Sequence, residues 1–265
     1  MQARARIVQQ DERSDAAAPV PFVYDDAALP VRDDLVAAHR RTWDYLARPG
    51  TWWTGAERVA LAAEVRRAPA CALCRARKDA LSPYAVPGTH DSGGGALPET
   101  AVDVVHRVVT DPARLARPWC EAAQAELGDG RYVELVGVLV SVLSIDAFDR
   151  GVGRPAEPLP APRAGAPARR RPPAAVRDEA WVAMIPAAGL TAVERDLWTM
   201  RHPPNVLRAL SLVPDEVRRL QDLSAACYLR VEQVADARAG GARAISRPQM
   251  ELLAGRVSAL NECFY

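Results

Sequence analysis

The sequence has little cysteine, almost no net charge and no long apolar run, and each shortage removes a class of protein. Five cysteines in 265 residues, at positions 71, 74, 120, 227 and 263, are too few and too scattered for a disulfide scaffold. Thirty-four basic residues face 33 acidic ones, which leaves a formal charge of +1. That balance gives no electrostatic reason to expect nucleic acid or an anionic membrane as a partner. No apolar stretch approaches the ~20 residues needed to span a bilayer. Met1 to Asp15 carries Arg, Gln and Asp without an apolar segment, so it does not read as a secretory signal, and a cytoplasmic location is expected. Convincing strand alternation is missing, and the glycines around Gly93 follow no strand and form no GxGxxG phosphate cradle.

Helical patterning is present in quantity. At 49% apolar and 25% charged residues, the chain has the composition of a folded protein. Apolar stripes at helical spacing run over 33–46, 99–109, 132–152 and 214–228, and the fold class expected is all-α. Four regions follow from composition: a polar tail over 1–19, a helical module over 20–153, a linker over 154–178, and a second helical module over 179–265. The linker holds seven prolines between Pro155 and Pro173, and proline fixes φ and removes a donor, so neither helix nor central strand is expected there. The Arg169-Arg170-Arg171 run inside it reads as a solvated charge cluster.

Two segments share a register. Thr54-Gly-Ala-Glu57 and Ser246-Arg-Pro-Gln249 both read as capping boxes, in which hydroxyl and acid or amide satisfy each other's free amides. In each, a cysteine follows 17 residues after the cap, Cys71 in the first and Cys263 in the second. Each helix is expected to deliver its cysteine at its carboxyl end. Cys71 and Cys74 form a CxxC, which in a reducing compartment points to redox chemistry or half a metal site.

With those residues in view, the second segment resembles the alkylhydroperoxidase D-like, carboxymuconolactone decarboxylase superfamily, whose peroxidases carry a glutamate, eleven residues, then CxxC, three residues and histidine. Glu251 and Cys263 have the first spacing, and Val257-Ser-Ala-Leu-Asn-Glu-Cys263 looks like the lead-in to that redox site. The first region is similar through its CxxC, Val104-Val-His-Arg107, Thr110-Asp-Pro112 and Tyr132-Val-Glu-Leu-Val-Gly137. The resemblance implies two alkylhydroperoxidase-like modules, the second incomplete. It also implies a thiol-dependent peroxide or disulfide oxidoreductase without a cofactor or metal. Cys74 would attack and Cys71 resolve, while Glu251 and Cys263 mark a second site. A small peroxide and an external dithiol are the implied partners, and homo-oligomers the implied assembly. The first copy departs from the pattern, with Val59 at the glutamate position and Lys78 at the histidine position. The second stops at Tyr265, before the next redox residue, as expected if a selenocysteine codon had been read as a stop. The missing helices would leave an apolar face exposed around Leu252, Leu253 and Leu260.

Several residues carry two readings. Lys78, one turn past Cys74, either favours the thiolate or is a surface charge, and Glu64 either relays protons or is likewise a surface charge. His90 reads either as a loop histidine exposed to water or as the missing base, and His106 as a core histidine; both are also the nearest further ligands if Cys71 and Cys74 hold zinc. Cys120 and Cys227 read as buried small hydrophobes, and Trp52-Trp53 as an anchor for the helix entry or a pocket lining. A structural relative that has lost its relay, and a zinc-stabilised binding module, are the alternatives to the oxidoreductase.

Overall fold

The computed structural model describes residues 21–229 and 244–260, together with residues 233, 236 and 238. The fold is all-α, with one two-stranded ladder added. Helix α1 (Asp33–Ala47) buries the stripe Leu35, Ala38, His39, Thr42, Trp43 and Leu46, as its period requires. Helix α2 (Gly55–Arg67) begins at Thr54 with both arms of the capping box formed. It does not continue to the CxxC. Pro69 cannot supply an amide to a continuing helix, the chain makes a single 3-10 turn over Ala68–Ala70, and Cys71 becomes the N-cap of a new helix, α3 (Ala72–Asp79). The expectation of a cysteine at the carboxyl end of one long helix is corrected accordingly.

A glycine-containing loop then leads to α4 (Glu99–Thr110), followed by α5 (Arg117–Leu127) and α6 (Asp129–Gly151). Gly128, at φ +84°, makes the turn between α5 and α6, and α6 therefore starts three residues before the Tyr132 expected from the apolar stripe. Helix α6 is the central element, packed against α2, α4, α5 and, from the far end of the chain, α8. Of its buried residues, Leu135, Val138, Leu139, Val142 and Ile145 are 1% exposed or less.

The proline-rich stretch lies along the helices, and side chains and amides close it down. Trp43 Nε1 donates to Pro158 O at 2.8 Å and Arg66 Nη2 to Glu157 O at 2.8 Å. The amides of Arg163 and Arg169 reach Ala47 O and Thr51 O, both at 2.7 Å. Of the arginine triplet, Arg171 pairs with Asp129 and Arg170 lies 3.7 Å from Glu194. After this strap come β1 (Val176–Arg177) and β2 (Ala183–Met184), antiparallel with Val176 opposite Met184. The short α7 (Asn205–Arg208) and α8 (Pro214–Cys227) follow, then α9 (Arg247–Leu260).

One apolar core takes residues from both sides of the strap: Leu61, Val105 and Leu135 from before it, and Ile185, Leu197, Leu212 and Val217 from after it. A buried ion triad crosses the same divide. Arg58 of α2 meets Glu134 of α6 at 2.5 Å and Glu216 of α8 at 2.9 Å, and Tyr45 donates to Glu216 at 2.9 Å. Gly137 makes room for it, since a Cβ there would stand 2.4 Å from Glu216 Oε2. Burial raises Glu134 to about 7 against the pull of Arg58, so with one arginine and two carboxylates the triad is neutral when it holds one proton. No helix among the described residues is long and apolar enough to cross a membrane.

Candidate functional site

The CxxC lies where α3 starts, and helix geometry sets the two sulfurs together. Cys71 holds the N-cap, and Cys74 falls one turn later on the buried side of α3, beside Leu73. Both are buried, at 1% and 4% exposure. Two histidines complete the cluster. His106 comes from the inner stripe of α4, between Val102, Val105 and the core, and is itself fully buried. His90 arrives on the loop between α3 and α4. Gly88 in that loop holds φ +147° where a Cβ would press on Leu73, so the loop can pass close over α3.

The distances are short throughout. His106 Nδ1 lies 3.3 Å from the Cys74 sulfur, and His90 Nδ1 lies 3.5 Å from Cys74 and 3.6 Å from Cys71. One donor atom from each of the four side chains falls within 4.8 Å of every other. The outer edge of each ring faces a carboxylate: His90 Nε2 to Asp103 Oδ1 at 2.9 Å, and His106 Nε2 to Glu64 Oε2 at 3.2 Å. Arg77 Nη1 also lies 3.1 Å from His90 Nε2, but both groups donate to the same Asp103 oxygen, which assigns the ring proton to Nε2. The result is two chains of the same order, sulfur, histidine, carboxylate, meeting at their sulfur ends.

Both carboxylates are themselves tied down. Glu64 is buried and accepts from the Gly93 amide at 2.6 Å. Asp103 accepts from Arg77, Arg107 and Trp119 Nε1. Burial would push Asp103 up, but His90, Trp119, Arg107 and Arg77 together hold it well below the usual carboxylate range.

The two thiols are set apart electrostatically. Burial raises Cys71, yet the amides of Asp91 and Cys74 and the His90 ring outweigh it, leaving the thiol at about 7. Cys74 is pushed up to about 11 by burial and by sharing its proton with Cys71, against smaller opposite pulls from Thr110 and Arg77. Burial lowers His106 against the opposing pull of Glu64, so its ring is neutral near pH 7. Two cavities approach the cluster. A cleft of about 600 Å³ is lined by His90, Asp103, Leu97, Val102 and Trp119 and touches neither sulfur. A niche of about 10 Å³, lined by Arg77, Tyr84, Arg107 and Thr110, reaches Cys74.

The sequence-predicted residues divide sharply. Cys71 and Cys74 come together, and Glu64, for which a surface charge was one of the two readings, is buried behind His106. Lys78 is exposed on α3, and the groups in reach of Cys74 are His106 and His90 instead. His90 is 8% exposed in its side chain, which corrects the solvent-exposed loop histidine. Glu251 sits on the exposed surface of α9 and pairs with Arg247 at 2.5 Å. Cys263, its expected partner, lies outside the described residues. Cys120 is buried as expected, donating to Tyr132 at 3.3 Å, whereas Cys227 is exposed in the last turn of α8 and not a buried hydrophobe. Trp53 is buried and donates to Arg131 O at 2.9 Å, and Trp52 lies over Gly130, beside the start of α2. Asp103 was not anticipated; its only sequence signal is its place three residues before His106, on the adjoining helix face. No family model, curated protein or solved structure matches the chain.

Proposed function

We propose that the cluster is the centre of a thiol-dependent oxidoreductase that cycles between a Cys71, Cys74 dithiol and its disulfide, with a small peroxide as oxidant and an external dithiol as reductant. The observation that carries this reading is the pairing of each sulfur with a histidine backed by a carboxylate. Such a pair supplies the base that a buried thiol needs in order to react. Cys74 is the attacking sulfur because the small niche opens on it, and His106 stands ready to take its proton. As Cys74 sulfur bonds to one peroxide oxygen, the O–O bond breaks. The distal oxygen leaves as water or alcohol after taking up the proton that His106 received. Cys71, the more acidic thiol, then attacks the sulfenic sulfur as thiolate and expels hydroxide, closing the disulfide. Two electrons pass from the sulfurs to the peroxide, and a dithiol returns them by exchange. The carboxylates Glu64 and Asp103 hold the rings and take no part in bond making.

Thiol counting with peptide mass mapping tests this. One equivalent of hydrogen peroxide should consume two thiols and link Cys71 to Cys74. In Cys71→Ser the Cys74 sulfenic acid should persist and be captured by a dione probe. His106→Gln should slow the oxidation by about 10²–10⁴, the usual worth of a positioned base. In the reduced, chelator-treated chain, oxidation of Cys74 no faster than that of a free thiol in solution would overturn the proposal.

A further inference from the structure

The four inward-facing atoms of the cluster have the arrangement of a coordination sphere. A tetrahedral zinc ion, with Zn–S near 2.3 Å and Zn–N near 2.0–2.1 Å, holds each sulfur about 3.5–3.6 Å from each nitrogen. Three of the four sulfur–nitrogen contacts here are 3.3, 3.5 and 3.6 Å, and all four donor atoms lie within 4.8 Å of one another. His90 Nδ1 is almost equidistant from both sulfurs, a position that one ring lone pair or one N–H shared between two thiols does not favour, but that a tetrahedron requires. Both rings give the outer nitrogen to a buried or half-buried carboxylate, which fixes the proton there and leaves Nδ1 bare toward the centre. A carboxylate behind each imidazole is the usual outer partner of a metal-binding histidine. The chain has only four histidines, and two of them meet at its only CxxC.

We propose that Cys71, Cys74, His90 and His106 bind one zinc ion in the reduced protein. Two sulfurs with two imidazole nitrogens in a tetrahedron suit zinc and offer no oxygen for calcium or magnesium. The spacing, C-x2-C with 15 residues to His90 and 15 more to His106, ties the start of α3, the loop and α4 to a single point. Binding displaces the thiol protons to solvent. All four positions are filled by protein, so the ion closes the site and joins three segments, and while bound it occupies both sulfurs. Where the oxidoreductase reading also holds, the zinc-loaded chain is a resting form that does not react with peroxide until the ion leaves. The inference stands apart from the oxidoreductase reading. A chain that binds zinc and never forms the disulfide satisfies this one and defeats that one, and the reverse result does the opposite.

The test uses the full untagged chain, purified under reducing conditions. Elemental analysis should find about one zinc per chain, as a closed four-ligand site requires. After stripping with a chelator, titration with Co²⁺ should give the visible bands of a tetrahedral cobalt thiolate, saturating at about one equivalent and erased by Zn²⁺. Asp103→Asn, which keeps every ligand, should weaken the metal about 10- to 100-fold. Loss of the bands in His106→Gln and His90→Gln supports the assignment where those variants fold. Absence of cobalt thiolate bands in the reduced wild-type chain overturns it, whatever the variants do, and so do bands unchanged in Asp103→Asn and in both histidine variants.

Discussion

Helices α2 and α9 start from nearly the same sequence device and end in different surroundings. Thr54 and Glu57 form both arms of the capping box, and α2 then buries Arg58, Leu61, Ala62, Glu64 and Val65. At α9 the Gln249 side chain accepts from the Ser246 amide at 2.8 Å, so the reciprocal arm forms there as well. Yet α9 has no buried residue, and Leu252, Leu253, Val257 and Leu260 are all more than half exposed. A cap decides where a helix begins because it settles a few local amides; the partners in the fold decide whether the helix carries energy.

Substitution can break that contrast. Arg58→Ala should cost about 3–5 kcal/mol in denaturant unfolding, because it strands Glu134 and Glu216 inside the core. Arg247→Ala, whose partner Glu251 is well exposed, should cost no more than about 1 kcal/mol. Equal losses at the two arginines would erase the distinction between the helices.

The ion triad also gives α2 a pH signature. Glu134 binds its proton in the folded chain up to about 7, against an ordinary value of 4.5. Between those values the native state holds more protons than the unfolded state, so stability falls as pH rises through the window and levels off above 7. Glu134→Gln should flatten that part of the stability curve. A slope that survives the substitution would place the titrating group elsewhere.

The smallest effect compares the caps themselves. Thr54→Ala should cost about 1 kcal/mol, the usual worth of an N-cap hydroxyl. Ser246→Ala should cost less in global unfolding, because α9 contributes little buried surface; a loss as large as that of Thr54→Ala would show α9 coupled to the core.

The same contrast explains what could be read from the chain. Helix starts were legible where an apolar stripe or a cap marked them, near 33, 54, 99 and 214, and the structure places α1, α2, α4 and α8 there. Half of the site was legible as well, since CxxC spacing is short-range. The other half depends on closure that no periodicity encodes. His90 reaches the sulfurs only because a loop with Gly88 folds back over α3, and His106 only because α4 turns its buried stripe toward them. Glu64 misled for a related reason. Only a continuous helix would have put it on the face of Cys71, but Pro69 breaks that helix, and Glu64 instead stands behind His106.

The strap has a last consequence for how this chain can be handled. Its backbone carbonyls serve as acceptors for Trp43 and Arg66, and its amides stitch to the last residue of α1 and to Gly50 and Thr51 beyond it. A cut within it would sever neither a hinge nor a tether; it would strip a layer from α1 and α2 and leave Val217 and Ile185 without the helices they cover. Truncation into two halves at the prolines is therefore the wrong way to isolate the sulfur centre, and dissection has to proceed one side chain at a time.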